Sequence, residues 1–290
     1  MISIIIPTFN NLDYLKLAIE SIKKNSKLSN EIILHINEGT DGTLDFVKKN
    51  NYKFSYSEVN DGICVGCNKA ASISKYDLIL YAHDDMYFCP NWDQFLINEV
   101  NRLDTKLFYL SGTMINGDPK LNGHLNFYAG ETVKSFDELK LLKNYKNLTC
   151  NDFQGSTWAP HLIHKEVWNK VGGFSIEFSP GTGSDPDLNM KLWKLGVRIF
   201  KGVSKSRVYH FGSVVTRQKE KRFFSITDTG NKGNKIFLKK WGISIKFFKK
   251  YYLRSDTKFT GLLKNPDKNL YYYYDLIKVK LTLFYNKLLN

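Results

Sequence analysis

Two adjacent carboxylates, Asp84 and Asp85, follow His83 in the segment YAHDDMYF (residues 81–88). Neighbouring carboxylates repel each other, so such a pair is stabilised when a cation or a ligand offsets the repulsion. Carboxylate oxygens are the ligands that hard divalent cations prefer in proteins. The alternative is that the pair only caps the next helix, but residues 87–90 separate it from the helix predicted to follow. The segment therefore favours a metal or ligand site.

The elements that must position this segment alternate along the first hundred residues. Apolar runs predict strands over residues 3–6, 31–36, 53–59 and 77–82, the first of them ended by Pro7. Amphipathic stretches between them, such as the one with Leu12, Leu15, Ile19 and Ile22 at helical spacing, predict helices. Continuous apolar strands separated by helices are typical of a parallel sheet that is covered on both faces. An α/β fold is expected.

A polar loop follows each predicted strand. The loops are PTFN, NEGTDG, NDG and HDD in chain order. In open α/β sheets, ligands bind outside the carboxyl ends of the strands, where such loops converge. We therefore expect the four loops to form one binding site.

The rest of the chain supplies further elements. A helix is predicted over 93–103, a strand over 106–115, an extended segment over 153–163 and closing strands over 198–202 and 207–211. In SDPDLNMKLWKLG (184–196), Pro186 suits the first helical position and Asp185 would be the N-cap. Residues 116–148 are polar and irregular around one helix candidate, SFDELKLLKNYK.

The net charge of +14 is concentrated at the C-terminal end. Residues 201–290 hold 21 of the 42 Lys and Arg residues but 5 of the 28 Asp and Glu residues. Lysines interleave with aromatic residues in KIFLKKWGISIKFFKKYYLR (235–254). This pattern suits a helix on an anionic membrane surface or a helix packed on the preceding domain, and it suits nucleic-acid binding less well. A solvated, lysine-rich face remains an alternative.

Several classes of protein are disfavoured. No apolar run reaches the length of a membrane span, and MISIIIPTFN lacks the features of a secretory signal peptide. The four cysteines have no framework spacing, and Cys64 and Cys67 are interpreted as small helix residues rather than as a metal or redox pair. A cytoplasmic protein is expected, with peripheral contact at the inner face of a membrane as an extension of that expectation.

The order of these motifs resembles that of the family-two inverting glycosyltransferases with the GT-A fold. SIIIPTFNN, NEGTDGT and NDGICVGCNKAA resemble the family's nucleotide-binding loops, and HDD occupies the place of its metal-binding D-x-D motif. VGGFSIEF followed by SDPDLNMKLWKLG resembles the segment with the catalytic base, YHFGS resembles a histidine motif that often closes the metal site, and GNKIFLKKWG is like segments after the catalytic core. In this chain Asn37 and Glu38 replace acidic or glycine positions, Cys67 an arginine, His83 the first Asp of D-x-D, and Ser184 a Glu.

The resemblance implies a GT-A catalytic domain over residues 1–215, with a Rossmann-like, mostly parallel sheet between helices. A basic, aromatic-rich helical extension would occupy 216–290. The implied activity is metal-dependent, inverting transfer of a sugar from a nucleoside diphosphate sugar to a hydroxyl of a glycan or lipid-linked acceptor, in polysaccharide biosynthesis. The implied cofactor is Mn²⁺ or Mg²⁺.

The resemblance also implies roles for individual residues. Asp85 would bind the metal, with His210 as a further ligand or a diphosphate contact, and Asp185 would be the catalytic base. Asp84 would contact ribose or the metal, and His83 ribose or a phosphate. The expected nucleotide-sugar-binding residues are Pro7, Thr8, Asn10, Asn37, Glu38, Asp61, Asn68, His83 and Asp84. The expected acceptor or sugar contacts are Trp158, His161 and Asp187, although a core role for Trp158 fits the pattern equally well.

Two other functions remain open at this level. The departures at His83 and Ser184 suit a nucleotide-sugar-binding protein that has lost catalysis. The basic C-terminal residues suit a nucleic-acid-binding protein, which would bind oligonucleotides in a salt-dependent way and would not bind sugar nucleotides.

Overall fold

One mixed β-sheet organises the molecule in the computed structural model, which describes residues 1–116, 124–212 and 232–288. Its strands are β1 (Ser3–Phe9), β2 (Glu31–Asn37), β3 (Lys53–Ser57), β4 (Leu78–Tyr81), β5 (Met86–Phe88), β6 (Phe108–Asn116), β7 (His124–Asn126), β8 (Phe153–Gln154), β9 (His161–His164) and β10 (Ile199–His210). The strand order is β3-β2-β1-β4-β9-β6-β10-β5, with β7 beside β6 and β8 beside β10.

Helices cover the sheet. They are α1 (Leu12–Asn25), α2 (Thr43–Lys49), α3 (Gly62–Ser72), α4 (Trp92–Val100), α5 (Glu138–Asn144), α6 (Lys165–Val171), α7 (Ser184–Leu195), α8 (Lys232–Trp241), α9 (Ile245–Phe247) and α10 (Leu270–Leu288). Short 3₁₀ turns occupy Val133–Ser135, Tyr145–Asn147 and Ile176–Phe178, and α9 continues as a π-helical stretch over Phe248–Leu253. The α/β fold expected from the sequence is therefore confirmed.

The N-terminal half of the sheet is parallel, as the apolar strands predict. Strands β1 to β4 pair in parallel in the order β3-β2-β1-β4. Ile4, Ile5 and Ile6 have no solvent exposure, because β1 lies inside the sheet and α3 packs against β1 and β2. The carboxyl ends of β1, β2 and β4 therefore lie at the same edge, as the loop argument requires.

Pro7 does not end the first strand, contrary to the sequence-based expectation. β1 continues through Pro7 to Phe9 and stays paired with β2. The pairing of β1 with β4 stops at Ile5. Beyond that point no β4 residue needs an N–H donor from β1, so a proline is tolerated.

The segment HDD forms a tight turn between two strands. β4 ends at Tyr81 and β5 begins at Met86, and β5 pairs antiparallel with the end of β10. The sequence did not predict β5, because three apolar residues before a proline are too short to show a period.

β10 replaces the two predicted closing strands with one strand of 12 residues. Its pairing with β6 runs from Ile199 to Val203 and resumes at Arg207, so residues 204–206 form a bulge. The side chain of Asp152 accepts hydrogen bonds from the backbone and hydroxyl of Ser204 inside this bulge. The extended segment predicted over residues 153–163 is not one continuous strand either. In the structure it contains two short strands, β8 and β9, which are separated by residues 155–160.

Asp185 is not the N-cap of α7, contrary to expectation. The cap residue is Gly183, with φ +84°, and Asp185 lies in the first turn. A left-handed backbone at this point favours glycine. The helix therefore begins two positions earlier than Pro186 suggests, and the Asp185 carboxylate is not needed as a cap.

The described part of the C-terminal extension packs against the sheet and its helices. Phe237, Phe247, Phe248 and Leu253 are buried in the same apolar cluster as the sheet residues. Of the alternatives for residues 235–254, packing on the preceding domain is therefore the one that these contacts support. The predicted domain boundary at residues 215 and 216 lies outside the described residues, so the two-domain division stays a prediction. Within the described ranges, no helix combines the length and apolar character needed to cross a bilayer.

Candidate active site

His83, Asp85 and His210 converge at the carboxyl edge of the sheet. Nε2 of His210 lies 3.3 Å from Oδ1 of Asp85, Nδ1 of His83 lies 3.8 Å from the same oxygen, and the two imidazoles approach to 3.5 Å. One ligand atom from each residue falls within 4.8 Å of the others. Two imidazoles and one carboxylate are a donor set that suits a divalent transition metal.

Local structure explains this convergence. Asp85 stands in the turn just before β5, and His210 is the last residue of β10 and pairs with Met86. The backbone N–H of Phe211 donates to the carbonyl of Asp85 at 3.1 Å. Burial lowers the pKa of His83 to about 4, so this imidazole is neutral near pH 7, which is the form that binds metals.

Asp84 has a different environment from its neighbour. The hydroxyl of Thr8 donates to its Oδ2 at 2.6 Å, which joins the loop after β1 to the turn after β4. Burial, followed by the charge of Asp85, raises the pKa of the Asp84 carboxyl to about 7. A cation at Asp85 would act in the opposite direction and favour the ionised form. Asp85 therefore faces the two histidines, whereas Asp84 is held in place by the hydrogen bond from Thr8.

A cleft of about 160 Å³ opens beside this cluster. It is lined by Pro7, Thr8, Phe9, Asn11, Asn37, Asn60, Gly62, Ile63, Tyr81, His83, Asp84, Asp85 and Pro180. Most of the lining comes from the carboxyl ends of β1, β2 and β4 and from the segments after β3 and β4, and it includes residues of all four predicted loops. Pro180 comes from the loop before α7. Pro7, Thr8, Asn37, His83 and Asp84, all expected to bind the nucleotide sugar, lie on its wall.

The other expected nucleotide-binding residues lie outside this lining. Asn10 donates to Glu38 at 3.3 Å, and Asp61 pairs with Lys69 at 2.8 Å while its N–H donates to the Asn37 side chain. The amide of Asn68 bonds both the N–H and the carbonyl of Phe174, so its side chain fixes the loop before α7.

The cleft also contains residues that the sequence reasoning missed. Phe9, Asn11 and Asn60 are adjacent in the sequence to Thr8, Asn10 and Asp61, which were expected to bind the nucleotide sugar. Including the neighbours of each expected residue would therefore have found them. Ile63 and Pro180 meet because the backbone N–H of Ile63 donates to the Pro180 carbonyl at 3.1 Å. A Cβ on Gly62 would lie 2.9 Å from Pro180 Cα. This close approach holds the glycine-rich loop before α7 against the cleft, and no local sequence pattern predicts it.

Asp185 lies in this glycine-rich region, over a buried polar patch. Its Oδ1 is 3.7 Å from Nδ1 of His161, and its side chain keeps 22% exposure. Burial raises the pKa of the Asp185 carboxyl to about 7. Burial also lowers the pKa of His161 to about 3, so the neighbouring imidazole is neutral. Asp185 is thus a partly exposed carboxylate with a high proton affinity.

Two of the three expected acceptor contacts are buried. His161 is 1% exposed, with Tyr81 and Tyr109 rings around it, and Asp187 is fully buried. Asp187 bonds Lys240 at 2.9 Å and the indole N–H of Trp241 at 2.8 Å. These positions do not support direct contact with an acceptor. Trp158 is half-buried and stacks on Phe153 at 5.5 Å between ring centroids.

A second, larger cavity of about 770 Å³ lies between the start of α7 and the C-terminal extension. Gly183 and Pro186, which flank Ser184 and Asp185, form part of its wall. Four cationic side chains of the extension face it: Lys246, Lys249, Lys250 and Arg254. The residues at the start of α7 and those of the C-terminal extension therefore build this cavity together.

Comparison with known proteins assigns the fold and the family. The structure resembles S. aureus TarS (residues 1–349) with a TM-score of 0.54 and 18% identity, covering 72% of this chain and 60% of that one. It resembles GalNAc-T7, solved with UDP, GalNAc and Mn²⁺, with a TM-score of 0.55 and 17% identity, covering 72% and 43%. The fold is that of the GT-A glycosyltransferases, as expected.

The family model described as glycosyl transferase family 2 matches residues 3–166. The chain belongs to this family, and the resemblance drawn from its motifs is confirmed. An uncharacterized glycosyltransferase of Rickettsia prowazekii, RP339, is 34% identical over 219 residues, covering 72% of this chain and 64% of its own. An uncharacterized Sinorhizobium fredii protein, y4gI, is 26% identical over 223 residues, covering 68% of this chain and 23% of its own. The chain thus spans less than two thirds of either relative.

Proposed function

We propose that this protein transfers a sugar from a nucleoside diphosphate sugar to an acceptor hydroxyl, with inversion at the anomeric carbon. The observation that carries the proposal is the cleft of about 160 Å³ described above, which we call the donor cleft. There, Asp84 and the cluster of His83, Asp85 and His210 meet the loops after β1, β2 and β3. Membership of glycosyl transferase family 2 supports the reaction class. The cleft lies where α/β sheets bind their ligands.

The donor that we propose to test first is a uridine diphosphate sugar. TarS and GalNAc-T7 were both solved with UDP, and their fold is the fold of this chain. In this protein, Thr8, Asn37 and Asp84 offer hydroxyl, amide and carboxylate groups to a nucleoside from the cleft wall.

A divalent metal fits the residues present, and we propose Mn²⁺ as the first ion to test. His83, Asp85 and His210 would hold it, because their ligand atoms already lie within 4.8 Å of one another. When bound there, the ion would offset the negative charge that develops on the leaving diphosphate. The imidazole donors favour Mn²⁺ over Mg²⁺, which prefers oxygen ligands and retained water.

Asp185 is the general base in this proposal. The acceptor hydroxyl would give its proton to the Asp185 carboxylate while its oxygen attacks the anomeric carbon, and the bond from that carbon to the diphosphate oxygen would break. A single displacement of this kind inverts the anomeric configuration. The raised pKa of Asp185, about 7, suits a base that must take up a proton near neutral pH.

The acceptor would approach from the larger cavity beside α7. Its size of about 770 Å³ suits an oligosaccharide or the head of a lipid-linked glycan. Lys246, Lys249, Lys250 and Arg254 on its wall favour an acceptor that carries phosphate or carboxylate groups. Among the described residues, the Arg254 guanidinium has no ion-pair partner, although Lys250 pairs with Asp275 at 2.8 Å.

The first experiment is a thermal-shift panel of UDP, GDP, dTDP and CDP, each with and without Mn²⁺. A ligand that binds the folded state raises its melting temperature by mass action. We expect a shift that depends on Mn²⁺ for one nucleotide and is lost in Asp85→Ala. If none of the four nucleotides changes the melting temperature, with or without Mn²⁺, the proposed donor site is contradicted.

Two alternatives make different predictions. A nucleotide-sugar-binding protein without catalysis would shift with a nucleotide but form no glycoside product. A nucleic-acid-binding protein would bind oligonucleotides and ignore nucleotides. The second has less support, because Phe237, Phe247 and Phe248 of the basic segment are buried and cannot stack on bases.

A further inference from the structure

Helix α10 has two apolar faces, of which one holds it to the rest of the molecule. Tyr272 and Val279 are buried, and the Tyr272 ring packs against the rings of Phe247 and Tyr251 at 5.1 Å. Asp275, on the same side, accepts from Lys250 at 2.8 Å and from the Tyr251 hydroxyl at 2.7 Å. The helix is therefore fixed in orientation.

The opposite face of α10 exposes a row of large apolar side chains. Leu270 is 87% exposed, Tyr274 58%, Ile277 59%, Leu281 61% and Phe284 60%. The spacing of four, three, four and three residues places them on one stripe, which runs on the order of 20 Å along the helix. Single exposed apolar residues are common, but a contiguous row marks a surface that another phase or molecule covers.

Charge identifies the kind of surface that would cover this stripe. At 100° per residue, Lys278 falls on one side of the stripe and Lys280 on the other, and both are exposed. The acidic residue of α10 is Asp275, which lies on the buried face. An apolar stripe bordered by lysines is the arrangement of a helix that lies in the plane of a membrane interface. Lysine stems can follow the apolar side chains while their ammonium groups reach the lipid headgroups.

A second copy of the chain fits this face less well. Two such helices packed stripe to stripe would bring lysines of both copies together, with no carboxylate on the stripe to offset them. The excess of basic residues after position 200 adds to the repulsion between copies and to the attraction for an anionic surface.

We propose that α10 docks this protein on an anionic lipid surface. Leu270, Ile277, Leu281 and Phe284 would enter the interface, while Lys278 and Lys280 would contact the headgroups. The surface is distinct from residues 235–254, whose aromatic side chains pack inward. It also does not depend on glycosyl transfer, so the docking and the proposed activity can fail separately.

The test is co-sedimentation of the full chain with phosphatidylglycerol-containing vesicles and with phosphatidylcholine vesicles, at low and high salt. We expect binding to the anionic vesicles that weakens with salt. Ile277→Glu with Leu281→Glu should weaken it by about tenfold or more, since two apolar side chains would be lost from the interface. Lys278→Glu with Lys280→Glu should weaken the salt-sensitive part of the binding.

The matched control is Leu139→Glu, at a leucine that is 79% exposed on α5. It should bind vesicles like the unchanged protein, and unchanged melting temperatures would show that all variants are folded. The proposal is overturned if the full chain does not bind anionic vesicles at low salt, or if the α10 double variant binds them normally. It is also overturned if light scattering shows that the unchanged protein is a dimer and the α10 double variant a monomer.

Discussion

The carboxylate of Asp85 and the imidazole of His210 are 3.3 Å apart because the turn before β5 is clamped to the end of β10. His83 reaches the same oxygen from the other side, at 3.8 Å. The three side chains belong to two segments that are distant in the sequence, so their convergence is a property of the sheet. The first prediction concerns what this cluster holds.

Replacing His210 by Ala should weaken Mn²⁺ binding by about tenfold or more, because one of three nearby donor groups is removed. The measurement is a Mn²⁺ titration of the folded protein by isothermal calorimetry. For the Asp85→Ala variant used in the thermal-shift panel, the matched control is Asp77→Ala, because Asp77 is an exposed carboxylate just before the other end of β4. Equal Mn²⁺ affinity in His210→Ala and the unchanged protein would contradict the metal site.

Asp185→Asn should lower the rate of glycosyl transfer by about a hundredfold or more, since the amide cannot accept the proton of the hydroxyl. Nucleotide binding should persist, because the donor cleft is lined by other residues. The measurement pairs product formation with a nucleotide thermal shift on the same sample. Transfer that survives at the original rate would place the base elsewhere.

The pH dependence of transfer should follow the ionisation of Asp185. The carboxyl has a pKa of about 7, raised by burial, and only its ionised form can act as a base. We expect kcat/KM to rise with pH and to reach a plateau above about pH 7. A profile that stays flat between about pH 5 and pH 8 would argue against this base.

The same pKa shift makes a separate prediction for stability. The Asp185 carboxyl holds its proton more tightly in the folded state than in the unfolded chain, where the pKa of this carboxyl is near 3.8. The contribution of Asp185 to the free energy of unfolding should therefore fall as pH rises between these two values. Urea denaturation should show the unchanged protein losing about 2–3 kcal/mol relative to Asp185→Asn between pH 5 and pH 8. A constant difference between the two proteins would refute the shift.

Asp187→Ala should destabilise the fold by about 3 kcal/mol, because it removes the buried partner of Lys240 and of the Trp241 indole. The measurement is the urea midpoint at constant m-value. Asp45→Ala is the matched control, since Asp45 also lies in the first turn of a helix but is exposed. A cost as small as that of the control would mean that Lys240 and Trp241 find other partners.

Local patterns predicted the elements well and their contacts less well. The continuous apolar runs of β1, β2 and β4 are visible in the sequence, and the loops that follow them contribute to the cleft, as expected. β5 is too short to show a pattern, and Gly183 rather than Asp185 caps α7 because the backbone there is left-handed. The buried Asp187 is paired with Lys240 and Trp241. These two residues are more than fifty positions away in the sequence, so the residues around Asp187 do not predict its burial.

The bulge at residues 204–206 has a consequence for how this chain tolerates change. Successive side chains of a strand point to opposite faces, so one residue added to or removed from β10 after the bulge would turn His210 away from Asp85. The Arg207 guanidinium anchors the strand just beyond the bulge by donating to the carbonyls of Tyr145 and Leu148. Between Arg207 and His210, substitutions should be tolerated far better than changes in length.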